Sequence, residues 1–82
     1  MYSIKFSQTA HRQLKKLENT IQKRIILSLE KIRIRPERYV TKLVGDPAFK
    51  LKVGKYRIII DIYREELIIL VIKLGHRKNI YK

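Results

Sequence analysis

The sequence predicts an α+β domain of order βααβββ, with two helices packed on one face of a twisted antiparallel sheet. Three observations predict it. Residues 2–6 alternate apolar and polar with period two. Residues 8–33 carry apolar side chains at helical spacing, with a break near Asn19. From Phe49 onward the chain is strand-like, interrupted only at Gly54-Lys55 and at Arg64-Glu65-Glu66. Eighty-two residues without a linker or a repeat read as one domain spanning 1–82.

Each element has its own warrant. Tyr2, Ile4 and Phe6 line one side of the first strand. Ser7 is placed as an N-cap, its hydroxyl accepting from an orphan backbone N–H, for a helix from about Gln8 to Glu18 whose inner face is Ala10, Leu14 and Leu17. Asn19 and Gln22 have the spacing of a capping box, opening a second helix from about Thr20 to Arg33. Its stripe is Ile21, Ile25, Leu29 and Ile32, broadened by Ile26 and Leu27. Pro36 disfavours helix at Arg35 and ends it, so the pair forms an αα-hairpin. Residues 36–47 read as a connector broken by Pro36, Gly45, Asp46 and Pro47, with Tyr39, Leu43 and Val44 turned inward. Three strands follow, at about Phe49–Val53, Tyr56–Tyr63 and Leu67–Leu74.

The turn between the first two of these strands carries the strongest signal. Glycine reaches the positive φ that a two-residue hairpin turn needs, so Gly54-Lys55 sets Val53 opposite Tyr56 and Lys52 opposite Arg57. One face then holds Lys50, Lys52 and Arg57, and the other Phe49, Leu51, Val53, Tyr56 and Ile58. Like charges directly across a strand pair are destabilising, and an anion between them is the economical explanation. For the last hairpin, pairing Tyr63 with Leu67 puts Ile58, Ile60 and Ile62 opposite Ile72, Leu70 and Ile68 under the helices. It also sets Arg57 opposite Lys73 on the uncovered face. Lys50, Lys52, Arg57 and Lys73 gather at one end of that face, beside an apolar patch of Ile59, Leu67, Ile69 and Val71. The patch is either a satellite core beneath the C-terminal tail or a docking site for a partner.

Charge and composition narrow the partners. Twenty Lys and Arg against seven acids leave a net charge of +13, which raises association with polyanions. Nucleic acid comes first, because the cations cluster on strands rather than opposite an apolar helical face as membrane binding requires. The chain lacks cysteine, so apolar packing, with fourteen isoleucines, must hold the core unaided. Two distant histidines and scattered acids make no metal-ligand cluster, and no Ser-His-Asp motif is visible. No signal peptide or run of ~18 apolar residues appears, so a cytoplasmic protein with no membrane partner is expected.

Most charged residues also have a bland reading. Lys5, Lys55 and Lys73 taken singly are ordinary devices against edge pairing. Arg12, Lys15, Lys16, Lys23, Arg24 and Lys31 form the solvated backs of the helices or a secondary nucleic-acid surface. His11 is a surface residue, whereas His76, after Gly75 at a strand end, is either a turn residue or a proton carrier.

Gly54-Lys55-Tyr56-Arg57, the apolar strands, then Gly75-His76-Arg77 and Tyr81, in that order and spacing, resemble the RelE family of toxin–antitoxin ribonucleases over nearly the whole chain. The resemblance implies a RelE/ParE-like fold and a ribosome-dependent endoribonuclease that cuts messenger RNA in the ribosomal A site and arrests translation. It implies no cofactor and no metal, because the substrate's own 2′-hydroxyl attacks the adjacent phosphate and leaves a 2′,3′-cyclic phosphate. It assigns catalytic roles to Lys52, Arg57, Arg77 and Tyr81, with His76 where some relatives have lysine. Lys50, Lys52, Lys55, Lys73 and Lys78 become RNA-binding cations. Fixed cations stabilise a phosphorane-like transition state, and the arginines offer forked hydrogen bonds that lysine cannot. Tyr81 stacks on a base or, with nearby cations favouring its phenolate, assists proton transfer. The sequence ends one residue later, without the C-terminal helix of some members. A RelB-like antitoxin is implied as partner beside the ribosome and messenger RNA, in a heteromeric complex, with the free toxin a monomer. The alternatives are a ParE-type toxin acting on gyrase and a non-catalytic basic RNA-binding module.

Overall fold

The computed structural model describes residues 1–80. In chain order it contains β1 (Ser3–Phe6), α1 (Gln8–Lys15), α2 (Asn19–Lys31), a 3-10 turn at Pro36–Arg38, β2 (Val40–Lys42), β3 (Phe49–Val53), β4 (Tyr56–Tyr63) and β5 (Ile68–His76). One five-stranded sheet runs in the order β1-β5-β4-β3-β2, with both helices on one face. The α+β class holds, with two additions. The β1–β5 pair is parallel, so the sheet is mixed rather than wholly antiparallel. The strand β2 lies within the expected connector, pairing Val40 with Leu51 and Lys42 with Phe49.

The helices end earlier than expected. Ser7 caps α1 as predicted, its hydroxyl accepting from the Ala10 amide at 3.0 Å. No capping box opens α2: Asn19 is already helical, and Gln22 Nε2 donates to the Leu17 carbonyl at 2.8 Å instead. The stripe of α2 is narrower than its apolar content. Ile25, Leu29 and Ile32 are buried, whereas Ile26 is exposed and Leu27 is 69% exposed. Burying each of the three contributes roughly 1.5–3 kcal/mol. Past Pro36, Leu43 turns inward but Tyr39 is exposed, stacked under Lys31 Nζ at 5.3 Å, and Val44 is fully exposed.

The hairpin β3–β4 has the expected register, Val53 with Tyr56 and Lys52 with Arg57, and Gly54 takes φ 59 in its turn. The β4–β5 register does not follow the expectation. Tyr63 pairs with Ile68 rather than Leu67, because Leu67 joins the turn at φ 56. A bulge between Ile60–Val71 and Ile59–Lys73 then leaves Ile72 unpaired on β5. A one-residue slip exchanges the faces of a strand. Ile69 and Val71, expected on the open face, are therefore wholly buried in the main core. The surplus backbone groups on β5, beyond the end of β1, are taken up by α1 and its cap. Ser7 Oγ donates to the Ile72 carbonyl at 2.6 Å, and Gln13 Oε1 accepts from the Leu74 amide at 2.8 Å.

A second apolar cluster covers part of the open face. Ala48, Ile59 and Ile80 are buried there, with Leu43 and Ile72 against them. Of the two expectations for an apolar patch, the satellite core beneath the tail is the one found, built on Ile59 but with a different set of neighbours.

Candidate functional site

The register makes two adjacent rows across the open face. Lys50, Ile59 and Lys73 form one, and Lys52, Arg57 and Gly75 the other. Residues two apart along a strand lie roughly 7 Å apart, so four cations share a small area. Arg57 therefore faces Gly75, not Lys73, and glycine leaves the space on its own side of that pair open. Ile80 closes the far side of that space, its Cδ1 lying 3.7 Å from where a Cβ on Gly75 would stand.

The guanidinium of Arg57 is held by its own turn. Nη1 donates to the Gly54 carbonyl at 3.0 Å and to the Tyr56 carbonyl at 2.9 Å. Both hydrogens of Nη1 are thereby used, and the Nε–Nη2 edge keeps the forked geometry that suits a phosphate. The turn after β5 is tied to the same place: the Arg77 amide donates to the Lys55 carbonyl at 2.8 Å. Thus the hairpin turn and the glycine-histidine-arginine turn, far apart in sequence, are joined by a backbone hydrogen bond. Lys55, Arg77 and Lys78 are all exposed around it.

His76 lies elsewhere. It pairs with Tyr56, which packs on the helix-covered core, so alternation sends it to the side opposite Arg57. Its ring meets Tyr56 edge-on, with centroids 5.6 Å apart. His76 Nδ1 accepts from the Lys78 amide at 3.1 Å, and its carbonyl accepts from the Asn79 and Ile80 amides. An accepting Nδ1 leaves Nε2 as the protonated nitrogen in the neutral ring. In this arrangement His76 shapes the turn that carries Arg77. Tyr81 lies outside the described residues.

Asp46 lines a cavity together with Lys50, Ile59 and Lys73. Both salt bridges among the described residues, Arg33–Glu30 and Arg64–Glu37, are made elsewhere. No group of three His, Asp or Glu among them is placed to hold a metal ion. No helix of the described residues is long and apolar enough to cross a membrane.

One contact was not legible in the sequence. The Arg24 guanidinium of α2 covers Gly54, with Nη2 2.7 Å from where a Cβ would be. The sequence placed Arg24 on a solvated helix back or a secondary nucleic-acid surface, and only the packing of α2 against the hairpin brings it to the turn.

Comparison with known proteins follows the same lines. Residues 4–81 match the ParE toxins of the type II toxin–antitoxin system parDE. The chain is 30% identical over 81 residues to a putative RelE-like toxin protein of Escherichia coli, covering 95% of this chain and 85% of that one. It superposes on the toxin–antitoxin complex RelBE2 of Mycobacterium tuberculosis with a TM-score of 0.84 at 25% identity, covering 93% of this chain and 98% of that one. For the intact E. coli RelBE complex the TM-score is 0.81 at 26% identity, with coverages of 93% and 96%. For the isolated E. coli RelE toxin it is 0.80 at 26% identity, with 93% and 84% covered. With the Gly54 hairpin and the turn after β5 arranged as described, the chain belongs to the RelE/ParE family of type II toxin–antitoxin toxins.

Proposed function

We propose that this toxin is a ribosome-dependent endoribonuclease that cuts messenger RNA in the ribosomal A site. The observation that carries the reading is the pairing of Lys52 with Arg57, beside the turn of Arg77, where neither Lys52 nor Arg57 makes a salt bridge with a described residue. In the reaction the ribose 2′-oxygen loses its proton and attacks the adjacent phosphorus, and the bond to the 5′-oxygen breaks. A 2′,3′-cyclic phosphate remains, and the departing 5′-oxygen takes up a proton. Arg57 and Arg77 bind the non-bridging oxygens, where charge grows in the transition state. Lys52, with Lys50 and Lys73, holds the flanking backbone; Lys55 and Lys78 extend that surface at its edge. Proton transfer falls to Tyr81 or to Lys52, since His76, on the side opposite Arg57, supports the turn that carries Arg77. The chemistry asks for no metal, since the substrate supplies its own nucleophile.

The setting follows from the substrate: the cytoplasm, on translating ribosomes. A RelB-like antitoxin is the neutralising partner, in keeping with neighbours solved as RelBE complexes. An acid-rich segment that folds on binding suits the +13 charge.

The test is cleavage of message on programmed ribosomes by the wild type, Arg57→Ala and Arg77→Ala. The wild type is expected to cut, and each variant to lose about 10²–10³-fold in rate, as when one transition-state donor is removed, with an unchanged circular dichroism spectrum. A wild type that leaves messages intact sinks the reading, and an unfolded variant shows a structural arginine instead. The match to ParE toxins supports a second reading, action on gyrase. Stalled gyrase on DNA in place of cut messages would establish it.

A further inference from the structure

Two guanidiniums close on a single glycine. Arg57 Nη1 donates to the Gly54 carbonyl, while Arg24 Nη2 occupies the space that a Cβ on Gly54 would need. Arg24 belongs to α2, on the covered side of the sheet, and Arg57 to the open side. The positive charge therefore does not stop at the edge of the open face but continues over the hairpin tip onto the helical layer. Neither arginine makes a salt bridge with a described residue. Cations brought together without a counter-charge cost stability through repulsion, and an anion spanning them removes that cost.

We propose that Arg24, across the Gly54 turn from Arg57, forms a second phosphate subsite, which holds an RNA backbone phosphate neighbouring the one at Arg57. The assignment rests on the RNA-cleaving reading and selects, from the six helix cations that the sequence offers as a solvated back or a secondary nucleic-acid surface, the one that packing brings to the hairpin turn. Glycine matters here in a second way besides its φ of 59, since any side chain at position 54 would displace the Arg24 guanidinium. Arg24 is a binding residue under this assignment, so it acts on affinity and not on the bond-breaking step.

The phosphate could belong to the message or to ribosomal RNA, and the experiment separates them. Single-turnover cleavage on programmed ribosomes is measured against toxin concentration at several salt concentrations, for the wild type, Arg24→Gln and Arg24→Lys. Binding to ribosomes without message is measured alongside. Arg24→Gln is expected to raise the half-saturating concentration about five- to tenfold at low salt and leave the maximal rate within about twofold. It is also expected to reduce the slope of log affinity against log salt by about 0.7, the value for one phosphate on a single strand. Arg24→Lys should restore most of the slope. Loss confined to programmed ribosomes identifies a message phosphate, and equal loss on empty ribosomes a ribosomal one; both support the subsite. A wild type that cuts, with Arg24→Gln of unchanged half-saturation and slope, overturns the subsite alone. A wild type that does not cut overturns the RNA-cleaving reading and the subsite together. Lower thermal stability in Arg24→Gln with an unchanged slope makes Arg24 a tether of α2 to the hairpin, and the subsite is wrong.

Discussion

Leu67 closes the last hairpin with φ 56, a conformation that costs a side chain with a Cβ roughly 1–2 kcal/mol. It is 45% exposed, so its packing recovers only part of that cost. Leu67→Asn should therefore stabilise the fold by about 0.5–1 kcal/mol, read as a higher urea midpoint at unchanged m-value, because asparagine tolerates the left-handed region. A lower midpoint would mean that leucine's contacts outweigh the backbone strain. At this scale the sequence was informative wherever the chemistry was local. The Ser7 cap and the Gly54 turn were legible because each depends on neighbours within a few positions. Arg24 and His76 were not, because their surroundings come from distant elements. Nothing near Arg24 in sequence announces Gly54, and the side taken by His76 depends on a register set by a bulge.

The strand β5 shows where pattern alone fails. Every residue from Leu67 to Ile72 is apolar, so either face satisfies the core and the alternation cannot choose between them. The choice is made by the Leu67 turn and by the bulge at Ile72, whose carbonyl the Ser7 hydroxyl satisfies. The strand β2 escaped notice for another reason: Val40-Thr41-Lys42 is three residues long and lies among breakers. Such a short, polar edge also discourages unwanted pairing. Beyond β5, Ile80 pins residues 77–80 to Ile59 and Ala48. Ile80→Ala should cost about 2 kcal/mol, concentrated in that segment. The expected signs are faster amide exchange at Asn79 and Ile80, unchanged exchange at Ile60, and weaker cleavage as Arg77 loses its support. Equal acceleration at Ile60 would instead make the small cluster part of the global core.

The molecule as a whole carries +13 on 82 residues, and Lys50, Lys52, Arg57 and Lys73 stand in adjacent rows on one face of its sheet. Self-repulsion is screened by salt over distances of about 10 Å at 0.1 M. The free protein should thus melt several degrees higher in 0.2 M than in 0.02 M sodium chloride, and higher still in sulfate of matched ionic strength, which can bridge Lys52 and Arg57. A melting temperature indifferent to both salts would show that the site's charges are already balanced. The fold itself was read correctly at this scale because its two helices carry apolar stripes and its long strands are apolar runs bounded by turn residues, although the parallel edge left no local mark.

That parallel edge governs when the toxin comes into being. Of the five strands β5 is the last to be translated, yet it lies between β1 and β4 and joins the two ends of the chain. A nascent chain ending before Ile68 has no partner for β1, no lid of Ile80 over Ile59, and neither Lys73 nor Arg77 beside Arg57. Contacts so remote in sequence form late and together. The sheet, and with it the group of cations on its open face, is therefore complete only once the final strand has been made.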